Sequence, residues 1–116
     1  MKNTPYIKLE SMRVSFDYDG TLSTERGKRL AAEKIQAGYH VYILTARDES
    51  DSETVYNTAA ELGISKSDVV FTNGRDKWPY CQQHRIDTHY DNNAEQVRKI
   101  LTNTDTKAIL FYDRKA

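Results

Sequence analysis

Stretches typical of strands and of helices alternate along the whole sequence, and this alternation limits the chain to few folds. Apolar runs rich in β-branched and aromatic residues predict five strands, at residues 13–19, 39–45, 68–72, 86–90 and 107–112. Helical spacing and helix-end residues predict four helices between them, at residues 25–37, 52–62, 76–84 and 94–101. Because a strand, a crossover helix and a further strand form a parallel pair, we predict an α/β fold. Its form would be a three-layer α/β/α sandwich around a Rossmann-like, five-stranded parallel sheet.

The composition fits a single small domain and argues against several classes of protein. The 116 residues predict one domain, residues 1–116, in which residues 1–10 form an N-terminal arm. Lys plus Arg and Asp plus Glu both number 17, and the resulting net charge of zero argues against a protein dedicated to binding duplex nucleic acid. No apolar run approaches the ~18 residues that span a membrane, so we expect no membrane partner. One cysteine and a polar first segment lead us to expect a cytoplasmic protein.

Polar residues follow three of the predicted strands at their carboxyl ends. Asp17 and Asp19 end the first strand, Thr45 ends the second, and Asp91 follows the fourth. Asp76 is the predicted N-cap of the helix that follows the third strand, and Lys77 lies at the start of that helix. The carboxyl ends of parallel strands meet at one edge of the sheet, where ligands of open α/β sheets bind. We therefore predict that these residues form one functional site.

The two aspartates that close the first strand favour a bound cation. Two close carboxylates are costly unless a cation lies between them or one of them carries a proton. Mg²⁺ binds in such places through one or two carboxylates, water and substrate phosphate. Gly20 and Thr21 follow in a turn whose N–H groups can hold phosphate oxygens. The alternative is a solvated turn that binds nothing.

The other polar residues at this edge also have two interpretations each. Thr45 can donate to a phosphate oxygen or cap the next helix. A cation at a helix N-terminus is electrostatically unfavourable, so Lys77 indicates either a nearby anion or a solvated side chain. Asp91 is a candidate metal ligand, while Asn92 or Asn93 can cap the helix that follows.

Together these residues resemble four motifs of the haloacid-dehalogenase (HAD) phosphohydrolases. The first motif, Asp-x-Asp-Gly-Thr after an apolar strand, matches residues 16–22, Phe-Asp-Tyr-Asp-Gly-Thr-Leu. The second, a Thr or Ser that ends strand two, matches Thr45, which Ala46 and Arg47 follow. The third, a lysine, matches Lys77, and the fourth, an acidic residue after strand four, matches Asp91. The motifs occur in the family's order, and the resemblance covers nearly the whole chain.

The resemblance implies an enzyme: a Mg²⁺-dependent phosphatase that hydrolyses phosphomonoesters through an aspartyl-phosphate intermediate. Asp17 would attack phosphorus, which is covalent catalysis by a carboxylate. Asp19 would protonate the leaving oxygen and then activate water, and its backbone carbonyl would bind Mg²⁺. Asp17 and Asp91 would hold the same ion, with Asn92 helping either directly or through water.

The resemblance also implies a phosphate-binding set drawn from the first three motifs. These residues would neutralise the phosphoryl oxygens as charge builds on them. The set comprises Gly20, Thr21, Thr45, Ala46, Arg47 and Lys77. The family's sheet order is 5-4-1-2-3, which places strands one and four side by side, as a metal shared by Asp17 and Asp91 requires.

The sequence departs from the family pattern in two places. Many relatives have a second acid in the fourth motif, where this chain has Asn92 and Asn93, and fewer negative ligands should weaken Mg²⁺ binding. Arg75 lies two residues before Lys77 and is an alternative for the cation that binds phosphate. His89, which precedes the fourth motif, is interpreted as structural, because the histidines lack the spacing of metal ligands.

Neither place where relatives carry an inserted cap domain is long enough here to hold one. The connections at residues 19–25 and 72–77 are short loops, so we expect a capless, open site unless another subunit covers it. Such a site suits a phosphate on a bulky carrier: a nucleic-acid end, a nucleotide, a protein or a glycan precursor. The chain also resembles the phosphatase half of polynucleotide kinase–phosphatases and small capless phage or bacterial phosphatases. Monomer and homo-oligomer both remain open.

Two other classes of protein share parts of this pattern. A non-catalytic phosphate- or partner-binding domain on the same scaffold needs no nucleophile. The presence of the complete set argues against it: Asp17, Asp19, Thr45, Lys77 and Asp91. A receiver domain that is phosphorylated on aspartate carries that residue at the end of its third strand, where this chain has Thr72. The phosphatase is therefore the favoured interpretation.

Overall fold

The computed structural model describes residues 12–113, so the predicted N-terminal arm lies outside the described residues. Five strands and four α-helices alternate within that range, and each lies within a few residues of its predicted position. Short turns at residues 18–22, 49–51 and 66–68 complete the connections. The elements are β1 (Arg13–Phe16), α1 (Glu25–Gln36), β2 (His40–Thr45), α2 (Glu53–Leu62), β3 (Val69–Phe71), α3 (Trp78–Gln83), β4 (Thr88–Asp91), α4 (Ala94–Asn103) and β5 (Lys107–Leu110).

All five strands join one parallel sheet in the order β3-β2-β1-β4-β5. This is the order 5-4-1-2-3 counted from the opposite edge, so the predicted topology is confirmed. β1 lies in the centre, where Ser15 pairs with Tyr42 of β2 on one side and with His89 of β4 on the other. The chain reverses its direction of winding between β1 and β4, and ligands of open α/β sheets bind at such a position.

Apolar residues on the two faces of the sheet form two separate clusters, which gives the predicted three layers. Phe16 and Ile43 pack with Ala31 of α1 and Val55 of α2 on one face. Side chains on the other face pack against α3 and α4, in a cluster of Tyr42, Leu44, Cys81, Ile86 and Ile100. Successive residues of β2 enter different clusters because side chains alternate across a strand.

Helix ends near the carboxyl edge of the sheet follow the sequence signals except at α3. The Asn93 side chain caps α4 by accepting from the backbone N–H groups of Glu95 and Gln96. Of the two predicted candidates for this cap, Asn92 and Asn93, the second is therefore confirmed. The prediction that Asp76 caps α3 is wrong, because the helix begins at Trp78 and Lys77 occupies the cap position. The Asp76 carboxylate accepts instead from Gln96 Nε2 at 3.1 Å and so ties the start of α3 to α4.

The connections at the carboxyl edge are as short as expected. Residues 18–22 form a tight turn in which Gly20 has a φ of 83°, and α1 begins three residues later at Glu25. The connection from β3 to α3 spans only residues 72–77. Neither connection holds an inserted domain, so the edge of the sheet is open. Within the described part of the chain, no helix has the length and hydropathy needed to cross a membrane.

The first turn of α1 passes close to the turn that follows β1, and this approach requires glycine. A Cβ at position 27 would lie 1.8 Å from the backbone oxygen of Thr21.

We predict that Gly27→Ala lowers the free energy of unfolding by about 3 kcal/mol, which is the upper end of the cost of overpacking, although alanine has the higher helix propensity. Gly63→Ala is the control, because its Cβ would meet no atom and only left-handed strain of about 1 kcal/mol applies. Equal losses in urea denaturation would contradict the close approach.

Candidate functional site

A buried lysine lies between two buried aspartates at the carboxyl ends of the central strands. Lys77 Nζ is 2.7 Å from Asp17 Oδ1 and 2.7 Å from Asp91 Oδ2. The exposed fractions are 2% for Lys77, 6% for Asp17 and 0% for Asp91. The two carboxylates contact the same nitrogen atom, so they lie well within the ~7 Å over which two carboxylates could share one Mg²⁺ ion.

The parallel sheet and the start of α3 bring these three residues together. Asp17 directly follows β1, Asp91 ends β4, and the two strands are hydrogen-bonded neighbours. The Asp17 backbone N–H donates to the carbonyl of Tyr90, which continues the ladder to the site. Lys77 is fixed by its own backbone N–H, which donates to Gln96 Oε1 at 3.0 Å. Contacts between residues distant in the sequence therefore hold Asp17, Lys77 and Asp91 in place.

Burial and neighbouring charges shift the two carboxylates in opposite directions. Burial raises the pKa of Asp17 above its ordinary value, and the opposing effect of the Lys77 ammonium does not cancel it. Burial also acts to raise the pKa of Asp91, but the hydrogen bond from His89 and the charge of Lys77 together hold that pKa below its ordinary value. Asp91 is therefore the more acidic of the two carboxylates.

Two polar residues inside the sheet, Ser15 and His89, extend the ion pair below the site. His89 Nε2 is 2.8 Å from Asp91 Oδ2, and His89 Nδ1 is 2.7 Å from Ser15 Oγ. Both residues are fully buried, and burial lowers the pKa of His89. The sequence analysis treated His89 as structural and did not single out Ser15. The available signal was their position two residues before Asp17 and Asp91, which places all four side chains on matching faces of neighbouring strands.

Asp17 receives two further contacts from the turn at residues 18–22. Thr21 Oγ1 donates to Asp17 Oδ2 at 3.1 Å, and the Leu22 backbone N–H donates to the carbonyl of Asp17. The Gly20 N–H donates to Ser23 Oγ at 2.9 Å. The turn thus orients the aspartate, and the Gly20 N–H that was expected to face a phosphate has a protein partner.

Asp19 points away from the buried pair and forms a bidentate ion pair with Arg47. Arg47 Nε is 3.0 Å from Asp19 Oδ2, and a terminal guanidinium nitrogen is 2.8 Å from Asp19 Oδ1. Arg47 also donates to Thr54 Oγ1 at 2.9 Å and lies over the ring of Tyr18. The hydrogen bonds to Asp19 raise the pKa of Arg47, so the guanidinium stays charged. Such forked pairs are strong and specific in geometry.

The hydroxyl of Thr45 is buried at the end of β2 and does not cap a helix. Its Oγ1 accepts from the backbone N–H of Arg47 at 3.2 Å, and the next α-helix begins eight residues later, at Glu53. Within residues 12–113 the hydroxyl donates to no protein acceptor. The cap interpretation is therefore excluded, and the predicted contact of Thr45 with a phosphate stays a prediction, because the residue is fully buried.

The side-chain amide of Asn92 faces two oxygen atoms of the site. In one of its two orientations the amide nitrogen donates to the Asp19 carbonyl oxygen at 3.1 Å and to Asp17 Oδ2 at 3.0 Å. In the other orientation the amide oxygen takes the place of the nitrogen, so that three oxygen atoms face one another. In this second orientation a Cβ at position 20 would lie 2.1 Å from the amide nitrogen and 2.9 Å from the amide carbon, so only glycine permits the close approach.

The donor set fits Mg²⁺ better than a softer metal. Adjacent ligands in an octahedral shell with bonds of about 2.1 Å lie about 3.0 Å apart, and the Asn92 amide atom lies 3.1 Å from the Asp19 carbonyl oxygen and 3.0 Å from Asp17 Oδ2. In the described part of the chain, no group of three or more His, Cys, Asp or Glu side chains is arranged to hold a metal. The reason is that a backbone carbonyl and an amide stand where a third acid would, while the Asp19 carboxylate faces Arg47.

An open cavity of about 350 Å³ lies over these residues. Six of the predicted site residues line it, and both candidate phosphate-binding cations, Arg75 and Lys77, are among its walls. The side chain of Lys77 is buried, whereas Arg75 is exposed. Gly20, Thr21, Thr45 and Arg47 contact or flank these residues without lining the cavity. The six are Asp17, Asp19, Ala46, Lys77, Asp91 and Asn92.

Removing the ammonium should destabilise the protein strongly. We predict that Lys77→Met lowers the free energy of unfolding by about 3–5 kcal/mol, because it leaves two buried carboxylates without a cationic partner. Lys99→Met is the matched control, since Lys99 pairs with Asp76 at 3.2 Å near the surface, where ion pairs contribute little. Losses of similar size in urea denaturation would show that the buried pair is no more important than the surface pair.

Comparisons with known proteins identify the fold. No protein-family model matches the chain, and no curated protein matches its sequence. A Vibrio cholerae protein provisionally named 3-deoxy-D-manno-octulosonate 8-phosphate phosphatase matches with a TM-score of 0.51 and 20% identity, over 80% of this chain and 64% of that one. A hypothetical protein from Xanthomonas campestris matches with a TM-score of 0.54 and 19% identity, over 87% and 65%. The chain spans just under two thirds of each. The chain therefore shares the fold of these two proteins, in which helices pack on both faces of its five-stranded parallel sheet.

Proposed function

We propose that the chain is a HAD-type phosphatase, which hydrolyses phosphate monoesters through a phosphoryl group carried on Asp17. The observation that supports this most directly is the contact of Lys77 with both Asp17 and Asp91 beneath an open cavity. A carboxylate fixed beside a cation, with space in front of it, is the arrangement that a carboxylate nucleophile needs. The name of the Vibrio cholerae neighbour agrees with a phosphatase but does not carry the proposal.

The hydrogen bonds of Asp17 leave one oxygen available for attack. Oδ2 accepts from Thr21 and faces the Asn92 amide, whereas among residues 12–113 Oδ1 accepts from Lys77 alone. A carboxylate oxygen has two acceptor positions, so Oδ1 retains a free lone pair. In the first step Oδ1 forms a bond to phosphorus while the bond from phosphorus to the leaving oxygen breaks. Lys77 has a third N–H that can neutralise a phosphoryl oxygen as charge builds.

Asp19 supplies the proton in the first step and removes one in the second. The leaving oxygen takes the proton of Asp19, and in the second step ionised Asp19 accepts a proton from water as the water attacks phosphorus. That attack releases inorganic phosphate and restores Asp17. The fork with Arg47 suits the ionised form, which the second step uses. For the first step we expect substrate binding to separate Asp19 from Arg47.

Mg²⁺ is the cofactor that these oxygen donors suit. Asp17 Oδ2, the Asp19 carbonyl and the Asn92 amide oxygen would hold it, and Asp91 retains a free acceptor position on Oδ1, which accepts only from the Asn93 N–H. When bound, the ion would offset the negative charge of the phosphoryl group. Asn92 then acts as a direct ligand in place of the second acid that many relatives have.

The open cavity and its two cations support a phosphate on a large carrier as the substrate. No inserted domain covers the site within the described residues, and Arg75 stands exposed at the wall of the cavity. A nucleic-acid end, a nucleotide, a phosphoprotein or a glycan precursor meets these conditions. A screen of phosphorylated oligonucleotides, nucleotides, sugar phosphates and an aryl phosphate with Mg²⁺ would rank them. Turnover of none of them would favour the non-catalytic binding domain.

Asp17→Asn and Asp19→Asn should fail at different steps. The first removes the nucleophile, so activity should vanish and no adduct should form. The second retains the nucleophile but loses a proton-transfer group that contributes roughly 10²–10⁴-fold. With an activated aryl ester, which needs little protonation, intact mass spectrometry of Asp19→Asn should show an adduct of about 80 Da, one HPO₃ group. Full steady-state activity of Asp17→Asn would mean that the assigned nucleophile is wrong.

Asn92 should control the affinity for Mg²⁺. Asn92→Asp adds a negative ligand and should tighten Mg²⁺ binding, whereas Asn92→Leu removes an oxygen ligand and should weaken it. Isothermal titration calorimetry on the protein without substrate measures both effects independently of turnover. Arg75→Gln, which alters a cavity-lining cation away from the oxygen cluster, is the control for a general charge effect. Identical Mg²⁺ affinity in both Asn92 variants and the wild type would exclude Asn92 as a ligand.

A further inference from the structure

We propose that His89 is a positioning residue of the candidate site, which acts by holding the Asp91 carboxylate in the orientation that keeps Lys77 against Asp17. Its consequence for turnover rests on the proposed phosphatase function. The inference about orientation rests only on contacts among the described residues.

In the hydrogen bond between His89 and Asp91, the histidine is the donor. An ionised carboxylate can only accept, so His89 Nε2, 2.8 Å from Asp91 Oδ2, must carry the proton. This holds whichever group donates between His89 Nδ1 and Ser15 Oγ, which lie 2.7 Å apart. In the neutral ring, Nδ1 accepts and the Ser15 hydroxyl donates, which fixes the same tautomer from the other side. Ser15 and His89 are register partners on adjacent strands, so the sheet itself sets this distance.

Three donors among the described residues contact the Asp91 carboxylate. Oδ2 accepts from both His89 and Lys77, and Oδ1 accepts from the Asn93 backbone N–H at 3.0 Å. The three donors come from β4, from the start of α3 and from the cap of α4, so together they fix the plane of the carboxylate. Without His89, Oδ2 would accept from Lys77 alone, and the carboxylate could turn together with the ammonium.

The ammonium of Lys77 donates to both Asp91 and Asp17, and so links the two carboxylates. Lys77 contacts Asp91 and Asp17 at the same distance of 2.7 Å, so a rotation of Asp91 changes the position of the donor beside the nucleophile. A buried polar pair inside a sheet also carries a desolvation cost that apolar residues of similar volume would avoid. A buried polar network makes the surrounding structure rigid and specifies one geometry when every member is hydrogen-bonded. Both nitrogens of the ring have partners here.

Two substitutions at position 89 separate positioning from mere filling of the core. In His89→Gln the amide nitrogen lies near the place of Nε2 and can still donate to Asp91. In His89→Asn the shorter side chain places its nitrogen near Nδ1, too far from Asp91. Thr106→Val is the matched control, because Thr106 donates to the Ile86 carbonyl at 2.7 Å in another buried part of the fold. All three lose a buried polar contact, so stability alone does not distinguish them.

With an aryl phosphate and saturating Mg²⁺, His89→Asn should lower kcat by roughly 10- to 100-fold, the usual effect of losing a partner behind a ligand, with KM little changed. His89→Gln should recover kcat to within a few-fold of wild type, and Thr106→Val should leave kcat unchanged. If His89→Gln is as impaired as His89→Asn, or if kcat follows the free energy of unfolding across all three variants, the proposal is overturned.

A second measurement does not depend on activity and so separates this inference from the proposed function. NMR of ¹⁵N-labelled protein should show the His89 ring protonated at Nε2 and the Lys77 ammonium protected from exchange with water. The ammonium signal should persist in His89→Gln and disappear in His89→Asn. A ring protonated only at Nδ1, or equal protection of Lys77 in both variants, overturns the inference even in an active enzyme. An inactive protein that passes this test would overturn only the phosphatase proposal.

Discussion

The ion pair of Lys77 with Asp17 and Asp91 is the constraint on which the rest of the structure depends. One ammonium compensates two carboxylates that the fold removes almost completely from water, and such an arrangement is costly as soon as one member is lost. The sheet order brings the two acids together, and the start of α3 delivers the lysine. Other features support these positions, including the link from Asp76 to α4 and the close approach of Gly27 to the turn at residues 18–22.

The same constraint explains how the site is prepared for chemistry. Two carboxylates and one ammonium leave an excess of negative charge, which a divalent cation would reverse, so that an anionic phosphoryl group could then bind. Lys77 and Thr21 hold Asp17, so the proposed attack needs little reorganisation of its carboxylate. Asp19 is held differently, because Arg47 binds it at the exposed rim. The buried half of the site is therefore fixed, and the proposed mechanism requires only Asp19 to move.

The sequence predicts the sheet order through the family resemblance, and it predicts the convergence of Asp17, Lys77 and Asp91. The convergence follows from element order and strand ends, which a sequence records directly. Asp76 was wrongly predicted as a cap because its partners, Gln96 and Lys99, come from α4 and are distant in the sequence. The Arg47–Asp19 fork and the bond from His89 to Asp91 could not be predicted, since each depends on the side-chain conformations that packing selects. The predicted roles of Asn92 and Thr45 stay predictions, although the structure gives each a suitable position.

The central claim is that Asp17 carries the phosphoryl group, and the measurement that tests it most directly is chemical identification of the phosphorylated side chain. The protein is mixed with an activated phosphate ester and Mg²⁺ and quenched in acid, and acyl phosphates are then reduced with borohydride, which converts an aspartyl-phosphate into homoserine. Peptide sequencing by tandem mass spectrometry locates the product. The account predicts homoserine at position 17. Homoserine at position 19 or 91, or its absence while the ester is being hydrolysed, would contradict it.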